Sequence, residues 1–278
     1  MQEDTRRGHA QGGREPAAAG WLARLRSRAA QPPLRPRVPL ACEVGVVGSV
    51  ESGLLASLHL PCLQHAQVEG QAGWLLSGEP TGSLRTLALA LRDAGQVRAW
   101  RDELLAVRDA AGRVVGEVER GVTRLLGIAT EAVHLLGLSP DGRHWVQQRA
   151  LTKPDDPGLW DTLVGGMVPA GESLDAALAR ECVEEAGLAL GQLSGLRQGG
   201  WVATQRPTPG TPGGYTVERI AWYIAHVPSG VKPSNQDGEV AQFKLMPVGE
   251  VRAQLAVQGF TLDAALMLVA AGVPPPEA

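Results

Sequence analysis

The sequence predicts an α/β protein: a basic arm over 1–38, a small α/β unit over 39–128, and a larger α/β unit over 129–278. Three observations carry this. Helical and strand-like periodicities alternate along the chain after residue 40, with Gly, Pro and Asp turns between them. A strand–turn–strand pattern, Val133–Leu138 and His144–Arg149 around Ser139-Pro140-Asp141-Gly142, opens the second unit. A Gly/Pro loop then runs into a capped helix that stops at Gly187.

At 278 residues and 44% hydrophobic, the chain can bury a sizeable core. No apolar run is long enough to span a bilayer, and Met1-Gln2-Glu3-Asp4 is followed by no signal-like apolar stretch. Cys42, Cys62 and Cys182 have no metal-ligand spacing, so free thiols in a reducing cytoplasm are expected. Residues 1–37 hold eight Arg against three acids, a net of +5; against −3 for the whole chain, the remainder carries −8. An acidic body without a basic recognition helix does not suggest nucleic acid or membrane as a partner. It suits a site of carboxylates and divalent cations, although solvated surface acids account for most of the count.

The arm is rich in Arg, Gly, Ala and Pro, and Gln31-Pro32-Pro33-Leu34-Arg35-Pro36 excludes a helix interior or central strand. It is expected to be mostly disordered, with one or two helical turns at Trp21–Arg26. In the small unit, Leu84, Leu87 and Leu91 predict a helix ending at Gly95, and 118–127 reads as a second helix ended by Gly127. In the larger unit, strands are expected at 200–205, 216–227 and 240–246, then helices near 248–257 and 261–271. The Gly/Pro-rich loop 208–214 is placed to lie over a pocket.

The stretch 165–188 carries the chemistry. Ser173 is a good N-cap, Leu174, Ala177, Leu178 and Cys182 share a helical face, and Gly187 is a natural C-cap, so a helix spans about 174–186. Glu181, Glu184 and Glu185, at i, i+3 and i+4, fall on one face at the negative end of the helix dipole. Arg180 is the helix's only cation. Three glutamates alone would read as a solvated acidic face. Hard divalent cations are the other reason to accept such repulsion, since Mg²⁺ takes oxygen ligands and bridges to substrate phosphates.

The full spacing decides between them. Gly166, Glu172, Arg180, Glu181, Cys182, Glu184, Glu185, Gly187 and Leu188 match every fixed position of the Nudix signature G-x5-E-x7-R-E-U-x-E-E-x-G-U, so the chain is identified as resembling a Nudix hydrolase. The resemblance implies a Nudix α/β/α sandwich with a mixed sheet over 129–278, preceded by the smaller α/β domain. It implies Mg²⁺ or Mn²⁺ as cofactor and a small-molecule diphosphate as substrate. Carried onto this sequence, the metal ligands are Glu181, Glu184 and Glu185, with Glu172 and the backbone at Gly166 in the same set. Arg180 pairs with Glu172 and holds the helix carboxylates. The general base is a box glutamate such as Glu184, or Glu239 on a later loop.

Outside the box, Trp145–Arg149, Lys153, Pro157–Asp161 and Asp237–Val240, with Trp100–Glu103 and Glu119-Arg120 ahead of them, resemble the two-domain Nudix proteins related to the part fused to thiamine pyrophosphokinase in fungi. That likeness implies thiamine diphosphate or its oxidised analogues, cut to the monophosphate. ADP-ribose, NADH or a nucleotide is the alternative substrate, and a non-catalytic ligand-binding regulator the alternative role. Arg149 and Lys153 are the expected diphosphate contacts. Trp160, Trp201 and Trp222 are the candidates for an aromatic wall. Gln148-Arg149, Lys153 and Trp160 also resemble isopentenyl diphosphate isomerases, which share the fold; Asp161-Thr162-Leu163-Val164 lacks the cysteine that reaction uses, and the intact box argues against it. The sequence is compatible with a homodimer.

Overall fold

The computed structural model describes residues 14–276. The expectations placed on residues 1–13 lie outside the described residues.

The first unit is built on β1 (Arg37–Cys42), β2 (Gly45–Glu51), β3 (Leu63–Val68) and β4 (Gln71–Leu76), in sheet order β2-β1-β4-β3 with only β1 and β4 parallel. Glu69 and Gly70, both at positive φ, close the β3–β4 hairpin, as the right-handed twist of two-residue turns requires. Helix α2 (Pro80–Asp93) is capped by Glu79, whose carboxylate accepts from Thr81 N at 2.8 Å and Gly82 N at 2.6 Å. It buries Leu84, Leu87 and Leu91 against Leu40, Leu76 and Val107. The expected helix over 118–127 is absent. That segment ends a hairpin, β5 (Leu104–Arg108) with β6 (Val114–Glu119), and continues into a single 3₁₀ turn at Arg120–Val122. Cross-strand pairing of Val118 with Leu105 outweighed the local helical pattern.

The second unit is a seven-stranded mixed sheet. Its spine runs β11 (Ser194–Pro207), β12 (Tyr215–His226), β7 (Thr130–Leu138), β8 (His144–Arg149), β13 (Val240–Met246). The short strands β9 (Trp160–Asp161) and β10 (Val164–Met167) attach to β8 and β7. β12 and β7 are parallel and the other pairs antiparallel. Both faces are covered. Val133, Leu135, Ala221 and Tyr223 pack with Ala177, Leu178 and Cys182 of α3 (Leu174–Ala186). The alternate residues Ala132, Leu136, Ile220 and Trp222 join the core of α4 (Val248–Ala256) and α5 (Leu262–Ala270) on the other face. This is the expected α/β/α sandwich behind a smaller α/β unit.

Over the described residues 14–38, the reading as a mostly disordered arm is corrected by α1 (Arg14–Ala29). Leu25 and Ala29 are buried in the α4–α5 core, with Trp21 packed against it. These three, at i, i+4 and i+8, form one apolar stripe. The chain then adds a backbone bond, Gln31 N to Gln205 O at 2.8 Å, before entering β1. The stripe was present in the sequence, but the Arg-rich composition masked it.

Candidate active site

Helix α3 is set by its caps. Ser173 Oγ accepts from Ala176 N at 3.2 Å, and Gly187 takes a left-handed φ of 63°. The helix thereby presents Glu181, Glu184 and Glu185 to a cleft of about 530 Å³ that runs between the two units.

Arg180 organises two of these carboxylates. Its guanidinium donates to Glu181 Oε1 at 2.7 Å, Glu184 Oε2 at 3.0 Å, Glu172 Oε2 at 3.0 Å and the Met167 carbonyl at 3.1 Å. Burial pushes the Arg180 pKa down, but these three carboxylates more than offset it and raise it. Glu185 is 4% exposed and held separately. Its Oε2 accepts from Gly165 N at 2.9 Å and Gln147 Nε2 at 3.0 Å. Burial, then repulsion from Glu181, push the Glu185 carboxyl up to about 8 despite those bonds. Burial also raises Glu181, against the pull of Arg180. Gly166 lies beneath the Glu181 carboxylate, where any Cβ would overlap it.

Among the described residues, no three or more His, Cys, Asp or Glu side chains are already gathered as a metal cage. The donor set nonetheless fits a hard divalent cation. The buried Glu185 and the part-buried Glu181, both of raised pKa, face a cleft with the half-exposed Glu184 and the backbone of Gly166; Arg180 pairs with Glu181 and Glu184, and no basic side chain bonds Glu185 among the described residues. Glu172 is the exception to the expected ligand set. It is bound to Arg180 and lines a neighbouring pocket instead of the cleft.

Glu239 borders the same cleft and is ion-paired to Lys153. Burial raises its pKa, but Lys153, Arg120 and Arg149 together bring it below the usual carboxylate range. Arg149 donates to the Asp155 carbonyl at 3.0 Å and 3.1 Å and reaches Asp161 Oδ2 at 3.4 Å. Thr208 and Pro209, from the expected covering loop, also line the cleft.

The tryptophans do not form the expected wall, since none of Trp160, Trp201 and Trp222 is among the lining residues. Trp222 is 6% exposed in the core, where Gly199 leaves room for its ring. Trp160 packs against that core, and Trp201 lies on the outer surface under Arg219. Apolar packing won Trp160 and Trp222, as it does most tryptophans.

Several lining residues carried no sequence signal. At the deep end Asp263 Oδ1, Arg206 Nε and Arg124 Nη1 are buried without a hydrogen-bond partner. Burial, then the Glu218 charge, push the Asp263 carboxyl up to about 7. His134, whose pKa burial lowers, bonds Thr162 Oγ1 at 2.8 Å beside Asp161. Only strand alternation, which puts 134 and 218 on the faces of 132 and 220, could have pointed to the pair of β7 and β12.

A NUDIX domain model matches residues 129–264. Nudix hydrolase 20, chloroplastic, of Arabidopsis thaliana is 31% identical over 192 residues, covering 63% of this chain and 49% of that protein. Nudix hydrolase 24, chloroplastic, of the same plant is 25% identical over 249 residues, covering 84% of this chain and 66% of that one. The chain thus spans about half to two thirds of the length of these relatives. An isopentenyl-diphosphate Delta-isomerase of Nocardia farcinica is 33% identical over 158 residues, covering 54% of this chain and 82% of the isomerase.

Proposed function

The chain belongs to the Nudix superfamily, and from that premise we propose that it hydrolyses the diphosphate bond of a small molecule with the help of a divalent metal. The observation that carries this is the set of Glu181, Glu184 and Glu185 facing one cleft, with a glycine beneath Glu181 and Arg180 beside two of them.

Glu181, Glu184, Glu185 and the backbone of Gly166 are the residues to hold Mg²⁺ or Mn²⁺. When bound, the metal supplies Lewis-acid polarisation of the phosphoryl group and makes water a better nucleophile at neutral pH. Arg180 keeps Glu181 and Glu184 aimed at the cleft, and Gln147 with Gly165 N fixes Glu185. Glu239, kept ionised beside Lys153, accepts the proton of the attacking water as its oxygen bonds to phosphorus and the bridging P–O bond breaks. Glu184 is the alternative base. Lys153 and Arg149 stand at the same wall to orient phosphoryl oxygens.

Within this class, the likeness of 145–161 and 237–246 to the thiamine-linked proteins supports thiamine diphosphate or an oxidised analogue, released as the monophosphate. The carboxylates Asp161 and Glu218 in the cleft suit a cationic ring, while no Phe, Tyr or Trp lines it among the described residues. ADP-ribose, NADH and nucleoside triphosphates are the competing substrates. The isomerase reading lacks the cysteine that reaction uses, since none of Cys42, Cys62 and Cys182 lines the cleft. No helix among the described residues is long and apolar enough to cross a membrane. The three free thiols fit a reducing cytoplasm. A homodimer is the assembly to test, by light scattering.

The deciding experiment is monophosphate release from that panel with Mg²⁺ or Mn²⁺, comparing kcat/KM. Glu184→Gln and Glu185→Gln are expected to lose orders of magnitude in turnover while remaining folded. Full turnover in both variants overturns the metal-site assignment. No cleavage of any diphosphate with either metal overturns the hydrolase reading and leaves a ligand-binding regulator.

A further inference from the structure

The cations that the second unit places nearest the box are already committed. Arg180 is held by Glu172, Glu181, Glu184 and a carbonyl, Lys153 by Glu239, and Arg149 by Asp155 and Asp161. Arg206 of β11 keeps a buried, unpartnered Nε in the cleft, and the other spare donors come from residues before 129. Arg101 is exposed and has no side-chain partner among the described residues, Arg120 uses one nitrogen on Glu103 at 2.6 Å, and Arg124 Nη1 is unpartnered among them. All three come from the first unit and the segment joining it to the second.

Their placement is built, not incidental. The buried Glu119 carboxylate accepts from Arg101 N at 2.6 Å and Gly121 N at 3.2 Å, tying the two arginine-bearing segments together. Gly121 is required there, since a Cβ would overlap the Ala99 carbonyl. The β5–β6 hairpin that leads into Arg120 docks on the loop before α3, with Ala170 N donating to Leu104 O at 2.8 Å and Arg108 bound to Glu131 at 2.9 Å. Arg120 is close enough to act electrostatically on both Glu181 and Glu239.

We propose that the first unit completes the active site, with Arg101 and Arg120 gripping the non-bridging oxygens of the substrate's diphosphate opposite the box carboxylates. This rests on the diphosphate reading above. Guanidinium groups suit the task because they present paired N–H donors to phosphate and stay charged at any working pH. Arg124, held to Glu218 at 3.0 Å, is the deeper member of the same wall and is structural enough to be left out of the test.

The test is carried out on the full chain. Binding of methylenediphosphonate, a diphosphate that cannot be hydrolysed, is measured by calorimetry with Mg²⁺ present for wild type, Arg101→Gln, Arg120→Gln and Arg120→Lys. Each glutamine variant is expected to bind about tenfold more weakly, the scale of a lost charge-assisted hydrogen bond. Arg120→Lys is expected to recover part of the loss, and KM for the cleaved diphosphate to rise more than kcat falls. Arg101 has no partner to lose, so Arg101→Gln tests the site even if Arg120→Gln folds poorly. A wild type that cuts diphosphates, with both glutamine variants binding the probe as it does, overturns the arginine assignment and leaves the hydrolase. Arginine-dependent binding with no cleavage of any diphosphate overturns the hydrolase and leaves the anion site.

Discussion

Glu185 carries a stability cost that follows from its burial. Its carboxyl is raised from 4.5 to about 8 by burial and by Glu181. Between those values the folded chain holds a proton that the unfolded chain has released, so the metal-free protein loses stability as pH rises through this window, on the order of a few kcal/mol in all. Metal-free Glu185→Gln is therefore expected to melt above the wild type at pH 9 and with it at pH 5. Equal melting temperatures at pH 9 would contradict the shift. Gly166 makes a complementary prediction. The atoms a Cβ would strike belong to the end of the Glu181 side chain, which can swing away. Gly166→Ala is expected to keep its melting temperature within a few degrees while turnover falls roughly 100-fold, the scale of a misplaced catalytic group. A variant that folds and turns over normally would remove Gly166 from the site.

Helix α1 is the element whose role differs most from its composition. Arg24 and Arg26 are exposed, while Leu25 and Ala29 enter the core shared by α4, α5 and the sheet. Leu25→Ala is expected to cost ~2–5 kcal/mol, the range for a buried Leu truncation, read from urea denaturation. A change below about 0.5 kcal/mol, the level of surface substitutions, would show that α1 merely rests on the surface. At the same scale, the β5–β6 hairpin shows why pairing decides short segments. Residues 118–127 suit a helix locally, but strand pairing at Val118 and the Glu119 caps are satisfied only in the hairpin and its 3₁₀ turn.

The whole molecule is cross-strapped. The chain starts its described course on the second unit with α1, builds the first unit, and returns at β7. The cleft borrows Arg101, Arg120 and Arg124 from the residues before 129. Residues 129–278 expressed alone are accordingly expected to melt well below the full chain, and the full chain to unfold in one calorimetric transition. Two separate transitions, one at the melting temperature of 129–278 alone, would mean that the units are independent.

The sequence by itself determined helix α3 and the spacing of its glutamates. Ser173, Gly187 and the i, i+3, i+4 glutamates act through the backbone of one helix, whose geometry is the same wherever it is placed. The strands of the sandwich were legible for the same reason, since alternation is a local property. Tertiary structure alone decided which polar residues share the cleft, because Arg101, Glu181, Glu239 and Asp263 are distant in sequence and meet only once both units are packed. It also decided that Trp160 and Trp222 belong to the core, because a tryptophan serves equally well as filling or as ligand wall until its neighbours are in place. It settled the fate of 14–29 too: an apolar stripe of three residues has no stability of its own, and it becomes a helix where α5 offers a face to cover.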